Sequence, residues 1–241
     1  MSRLLAAIKT DFTVQVRNNL YAIGIGVAVV IAITLSQLMS PKYLPFIVPT
    51  FMLMVIGGST LLYVAGMILF EKDEGTLNAV IVSPLTTVEY LWSKVITLTG
   101  LATAESVIMI AGTMLLMSFY NPVTLPNIPL LLAGIIIMGI MYTLIGIIMI
   151  VRYEKITDFL IPMATFAIML QLPFLYFLGV VPHRFLFLIP TAAPTLIIKG
   201  AYVKLATWAW IYAFGYAVLF IVILAIWANY AFKKHVVMKV R

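Results

Sequence analysis

Six apolar stretches run through this chain, at about Leu20–Met39, Phe46–Phe70, Val95–Met117, Ile128–Val151, Phe159–Val181 and Leu205–Phe232. A bilayer core of about 30 Å is crossed by roughly 20 helical residues, so each stretch is long enough to span one. Together they take more than half of the 241 residues and leave no room for an independent soluble domain. Composition agrees: 64% of residues are hydrophobic and 10% charged, where soluble domains carry roughly 45–50% and about 25%. A soluble enzyme, a nucleic-acid-binding domain and a disordered chain are excluded. The expected fold is all-α: a polytopic membrane protein with six transmembrane helices forming one domain over residues 1–241.

The net charge of +7 reads as orientation rather than as affinity for nucleic acid. With the N-terminus inside, 11 Lys and Arg residues fall on the cytoplasmic side and 4 outside (Lys42, Arg184, Lys199 and Lys204). Basic residues gather on the cytoplasmic face of membrane proteins, so both termini are expected in the cytoplasm. Arg3, Lys9 and Asp11 interrupt the first apolar residues, which argues against a cleaved signal peptide.

Three connecting segments carry information. Residues 1–19 place Leu4, Leu5, Ile8 and Phe12 at helical spacing opposite Arg3, Lys9 and Arg17. That pattern predicts an amphipathic helix on the inner membrane surface; a plain basic anchor for the first span is the simpler alternative. Residues 71–94 form the longest cytoplasmic loop. Here Glu71, Lys72, Asp73, Glu74, Gly75 and Thr76 precede Leu77, Val80 and Ile81, and Ser83-Pro84-Leu85 stops the pattern. A short amphipathic helix of this kind can lay its apolar face in a partner's groove, or remain an interfacial helix without a partner. Residues 181–204 hold Pro182, Pro190 and Pro194 among Phe185, Leu186, Phe187, Leu188 and Ile189. They predict external re-entrant half-helices sheltered by protein. Phe185, Phe187, Ile189 and Pro190 are the candidate outer gate.

No phosphate-binding loop, nucleophile elbow or His-Glu-x-x-His motif occurs, and cysteine is absent. No catalytic residue and no metal site is expected. Glu105 is the ionisable residue near the middle of a span, and such a carboxylate is a functional candidate by default. Gln171 lies mid-depth before Pro173. Either residue can line a substrate path or bond to a neighbouring helix. Ala209, Ala213 and Ala217, and Gly139, Thr143 and Gly146, form small-residue faces for close helix approach within the subunit or across a dimer.

The block Glu71-Lys72-Asp73-Glu74-Gly75-Thr76-Leu77, ending in Ser83-Pro84-Leu85, with Lys94 opening the third span, resembles the ATP-binding-cassette type 2 permeases. Gln15-Val16-Arg17, Phe70-Glu71-Lys72, Glu89-Tyr90-Leu91, Thr157-Asp158-Phe159 and Ile189-Pro190-Thr191 are similar to the fluoroquinolone-export subgroup. The resemblance covers nearly the whole chain. It implies a dimer formed with a second copy or a paralogue, sitting among the lipids of a prokaryotic plasma membrane. It further implies that residues 71–85 dock cytosolic ATPase subunits, which bind ATP and Mg; this chain would hold no cofactor. Asn78 stands where many members have Glu. The expected function is export of a hydrophobic or amphipathic drug, lipid or peptide. The alternatives are a peptide-antibiotic immunity exporter and a membrane scaffold that moves nothing.

Overall fold

A computed structural model describes residues 3–77 and 84–238. Its helices are α1 (Arg3–Arg17), α2 (Leu20–Leu38), α3 (Leu44–Asp73), α4 (Thr87–Ser118), α5 (Ile128–Ile150), α6 (Ile156–Gln171), α7 (Phe174–Phe177), α8 (Ala192–Gly200) and α9 (Thr207–Phe232). Among the described residues there is no strand, and six helical segments are long and apolar enough to cross a membrane. They coincide with the six stretches read from hydropathy. Six crossings return the chain to the side where it began. The ring of Tyr90, at the start of α4, lies 5.0 Å from that of Phe232, at the end of α9. This is the terminal side of the bundle.

Lipid tails are as apolar as leucine, so burial from water does not drive spans together; close packing and polar contacts do. The centre of the packing is α5, whose apolar window is 72% buried, against 28% for α2 and 17% for the α6–α7 span. Its small residues set the spacing. A side-chain carbon on Gly139 would come within 3.1 Å of Thr99 on α4, and one on Gly146 within 3.0 Å of Val64 on α3. The alanine face of α9 is used inside the chain: Ala209 and Ala213 pack with Ala192, Leu196 and Ile197 of α8. Within the subunit, not across a dimer, is where that stripe is spent.

Two boundaries differ from the sequence expectation. The segment between α3 and α4 covers 74–86 rather than 71–94, because α3 continues to Asp73 and α4 begins at Thr87. A capping box sets that start: the Thr86 hydroxyl accepts from the Glu89 N–H, and the Glu89 carboxylate accepts from the Thr86 N–H. The fifth span breaks after Gln171 at Pro173, and the four-residue α7 follows. Gly179, at a φ of 78°, then reverses the chain in the left-handed conformation that favours glycine.

The segment after α7 turns back into the bundle. Arg184–Leu188 form a tight 3₁₀ turn, and residues 192–198 of α8 are all buried. The Thr191 hydroxyl donates to the Leu170 carbonyl near the end of α6, while Ala201 accepts from the N–H of Asn127 at the start of α5, on the side opposite the termini. Between these ends α8 descends about 13 Å at 1.5 Å per residue.

Helix α1 has three faces. About 100° per residue puts Leu4, Ile8, Asp11 and Gln15 on the side turned to the bundle, and Asp11 and Gln15 are buried. Leu5, Phe12 and Val16 form a second, apolar face, each about half exposed. Arg3, Lys9 and Arg17 are exposed on the third. The sequence pattern grouped Leu4, Leu5, Ile8 and Phe12 on one face. Packing splits them, because Asp11 is drawn inward by a buried lysine.

Candidate functional site: a buried charge junction and an inner cavity

The lysine is Lys94, about two turns into α4 and fully buried. Its ammonium pairs with Asp11 of α1 at 2.5 Å and with Glu71 near the end of α3. The Tyr90 hydroxyl donates to the other oxygen of Glu71, and the Ser93 hydroxyl donates to Asp11 at 2.7 Å. Two carboxylates around one ammonium leave a formal excess negative charge. The two hydroxyl donors offset part of the burial cost that such a group carries. Three helices are thereby fixed at one point, at the base of the 74–86 loop.

Further contacts surround that base. Arg3 donates to the Pro84 carbonyl at 2.8 Å, and Arg17 pairs with Glu74 at 3.5 Å. Gly75, at a φ of 70°, turns the chain out of α3 in a conformation that strains any residue with a side chain. Beside Glu71, Lys72 points the other way. Its ammonium donates to the Tyr153 carbonyl at 2.7 Å, in the turn that joins α5 to α6.

That turn borders a cavity of about 450 Å³ between α5, α6 and α9. Ile145, Met149, Phe166, Leu170, Phe220 and Trp227 form its walls; Arg152 and Tyr153 lie at its terminal-side end, and Pro190 lines the other. The outer segment and the terminal-side turn thus meet one space from opposite ends.

The residues singled out in the sequence fall into separate places. Glu71 faces inward to Lys94, and Leu77 is buried in the chain's own core. Glu74, Gly75, Thr76 and Pro84 are exposed and Leu85 is half-buried. Val80, Ile81 and Ser83 lie outside the described residues, as does the side chain of Asp73. Glu105 is buried between α2, α3 and α4, where the Tyr63 hydroxyl donates to it at 3.3 Å and Gly24 lies against its carboxyl group. It does not border the cavity. Gln171 donates to the Met54 carbonyl of α3 at 3.4 Å, a helix-to-helix bond. At the outer segment Phe187 is buried against Tyr176 and Tyr212, and the Tyr212 hydroxyl donates to its carbonyl. Ile189 and Pro190 are half-buried, whereas Phe185 is 61% exposed.

The pairing of Asp11 and Glu71 with Lys94 was not read from the sequence. The one available signal was Asp11 itself, an acid on the inward stripe of an otherwise apolar helical face.

Comparison with known proteins matches residues 2–240 to the model of the fluoroquinolones export permease protein family. Two relatives from Mycobacterium tuberculosis, strains CDC 1551 / Oshkosh and ATCC 25618 / H37Rv, each bear the name fluoroquinolones export permease protein. The chain is 31% identical to each over 229 residues, covering 93% of this chain and 91% of the relative.

Proposed function

The chain belongs to the fluoroquinolones export permease protein family, and from that premise we propose that it is the membrane subunit of an ATP-binding-cassette exporter. It moves a hydrophobic or amphipathic substrate out of the cell, with fluoroquinolone drugs the first to test given the names of its relatives. ATP is hydrolysed by separate ATPase subunits that dock on the 74–85 loop. The terminal side is the cytoplasmic side of the plasma membrane, and two permease copies or paralogues form the working unit. The apolar face of α1 rests on the inner leaflet while its basic face meets water and anionic headgroups.

The observation that carries this reading is the double linkage at the end of α3. Glu71 and Lys72 are neighbours, yet Glu71 joins the base of the loop and Lys72 holds the turn that borders the cavity. A displacement of the loop by a docked ATPase therefore moves α1, α3 and α4 together and reaches the cavity through one rigid helix end. Pro190 lines the far end of the cavity, away from the terminal side. A scaffold that moves nothing needs no such linkage.

The test is co-purification. Tagged permease taken from native membranes retains an ATPase. Replacing residues 78–82 by a Gly-Ser segment of equal length leaves the permease in the membrane and releases the ATPase. Retention of the ATPase by that variant overturns the docking assignment.

A further inference from the structure

We infer that the cavity between α5, α6 and α9 binds an amphiphile with a flat apolar body and one anionic head, the head paired to Arg152. The inference rests on the export reading and names the substrate chemistry it implies.

Size comes first. The volume of about 450 Å³ falls in the range of roughly 300–1,000 Å³ usual for sites of small organic ligands. Packing comes second. Elsewhere this bundle closes its helices to van der Waals contact, as at Gly139 and Gly146. A gap lined by apolar side chains forfeits dispersion contacts, and in lipid those contacts are what hold helices together. An apolar occupant restores them. The aromatic side chains of Phe166, Phe220 and Trp227 offer faces for a flat ring system. Phe166 is 46% and Trp227 47% exposed, so the wall is open between α6 and α9 to a ligand already dissolved in the bilayer.

Charge decides the head group. Arg152 is the one charged residue in the cavity lining, and among the described residues its guanidinium has no hydrogen bond or ion pair. A planar guanidinium matches a carboxylate or phosphate with two parallel hydrogen bonds. An aromatic acid and an anionic phospholipid share this chemistry, and the experiment separates them.

Full-length permease is placed in phosphatidylcholine nanodiscs and titrated with 1-pyrenebutyric acid or its methyl ester. Energy transfer from tryptophan reports binding, and empty nanodiscs give the lipid background. The acid binds saturably, about tenfold tighter than the ester, as expected for a charge-assisted pair. Arg152→Gln, at an exposed position that tolerates the change, abolishes the preference, and Arg152→Lys keeps most of it. Leu224→Trp, which fills the cavity, weakens both ligands. Weaker binding of the acid in phosphatidylglycerol nanodiscs identifies the lipid headgroup as the natural occupant; unchanged binding identifies a free acid. Equal affinity of acid and ester for the wild type overturns the inference, as does wild-type binding by a folded Leu224→Trp variant. Saturable, Arg152-dependent binding without ATP-driven transport removes the export reading and keeps the site. Transport unaffected by Arg152→Gln and Leu224→Trp does the reverse.

Discussion

The Lys72 ammonium donates to the Tyr153 carbonyl across 2.7 Å, joining residues 81 positions apart in the chain. The contact ties the end of α3 to the turn at the cavity mouth, immediately beside the point where Glu71 meets Lys94. Lys72→Met is therefore expected to leave the fold, the ATPase contact and pyrenebutyrate binding intact while transport falls. ATP hydrolysis in the variant no longer rises with substrate. ATPase assays with and without substrate, on reconstituted complex, check this.

Lys94 is the most consequential single charge. Removing one partner of a buried ion pair leaves the others uncompensated and costs about 3–5 kcal/mol. For a chain of this size that is a fall in Tm of roughly 10 °C. Lys94→Met is expected to show it in detergent-solubilised protein. Neutralising the whole group, in Lys94→Met with Asp11→Asn and Glu71→Gln, restores at least half of the loss. Equal instability of the single and triple variants would show that packing, rather than charge, holds the junction.

Glu105 acts as a bridge between helices rather than as a lining of the cavity. Glu105→Gln keeps an acceptor for the Tyr63 hydroxyl and is expected to preserve both Tm and transport. Glu105→Leu leaves that hydroxyl unpaired, at a cost of about 1–3 kcal/mol, and lowers stability and transport together. Transport lost at unchanged Tm would return Glu105 to the substrate path.

The outer segment supplies its own controls, and the chain has no native cysteine. Phe187→Cys and Ile189→Cys resist a membrane-impermeant thiol reagent at rest, whereas Leu188→Cys, at a position 74% exposed, reacts. During ATP turnover the first two become reactive as Pro190 and its neighbours withdraw from the cavity. State-independent labelling at Phe187 and Ile189 rules out a gate there.

Hydropathy alone located all six spans, because a bilayer demands a length of apolar helix that the residues between Leu20 and Phe232 either supply or do not. Pro182 and Pro190 likewise fall where the helix is broken, whereas Pro194 sits in the first turn of α8. The start of α4 is encoded in Thr86-x-x-Glu89, about two turns before the apolar run that begins at Val95. The junction was not legible. Asp11, Glu71 and Lys94 come from three helices; Asp11 alone gave a hint, from its place on the inward stripe of α1, while Glu71 and Lys94 taken singly read as solvated loop residues. Only their convergence at the helix ends buries them. The cavity is hidden for the same reason: Arg152 belongs by sequence to a basic turn, and only the packing of α6 and α9 against α5 places apolar walls beside it.

The central claim is ATP-driven export through this subunit. Inside-out membrane vesicles from cells expressing the permease with its ATPase are supplied with ATP in the medium, which bathes their cytoplasmic face, and uptake of fluorescent norfloxacin is followed. The account predicts accumulation that requires ATP, stops with vanadate, and is lost in vesicles lacking the permease and in those carrying Lys72→Met. Accumulation of the same size without ATP, or without the permease, would contradict it.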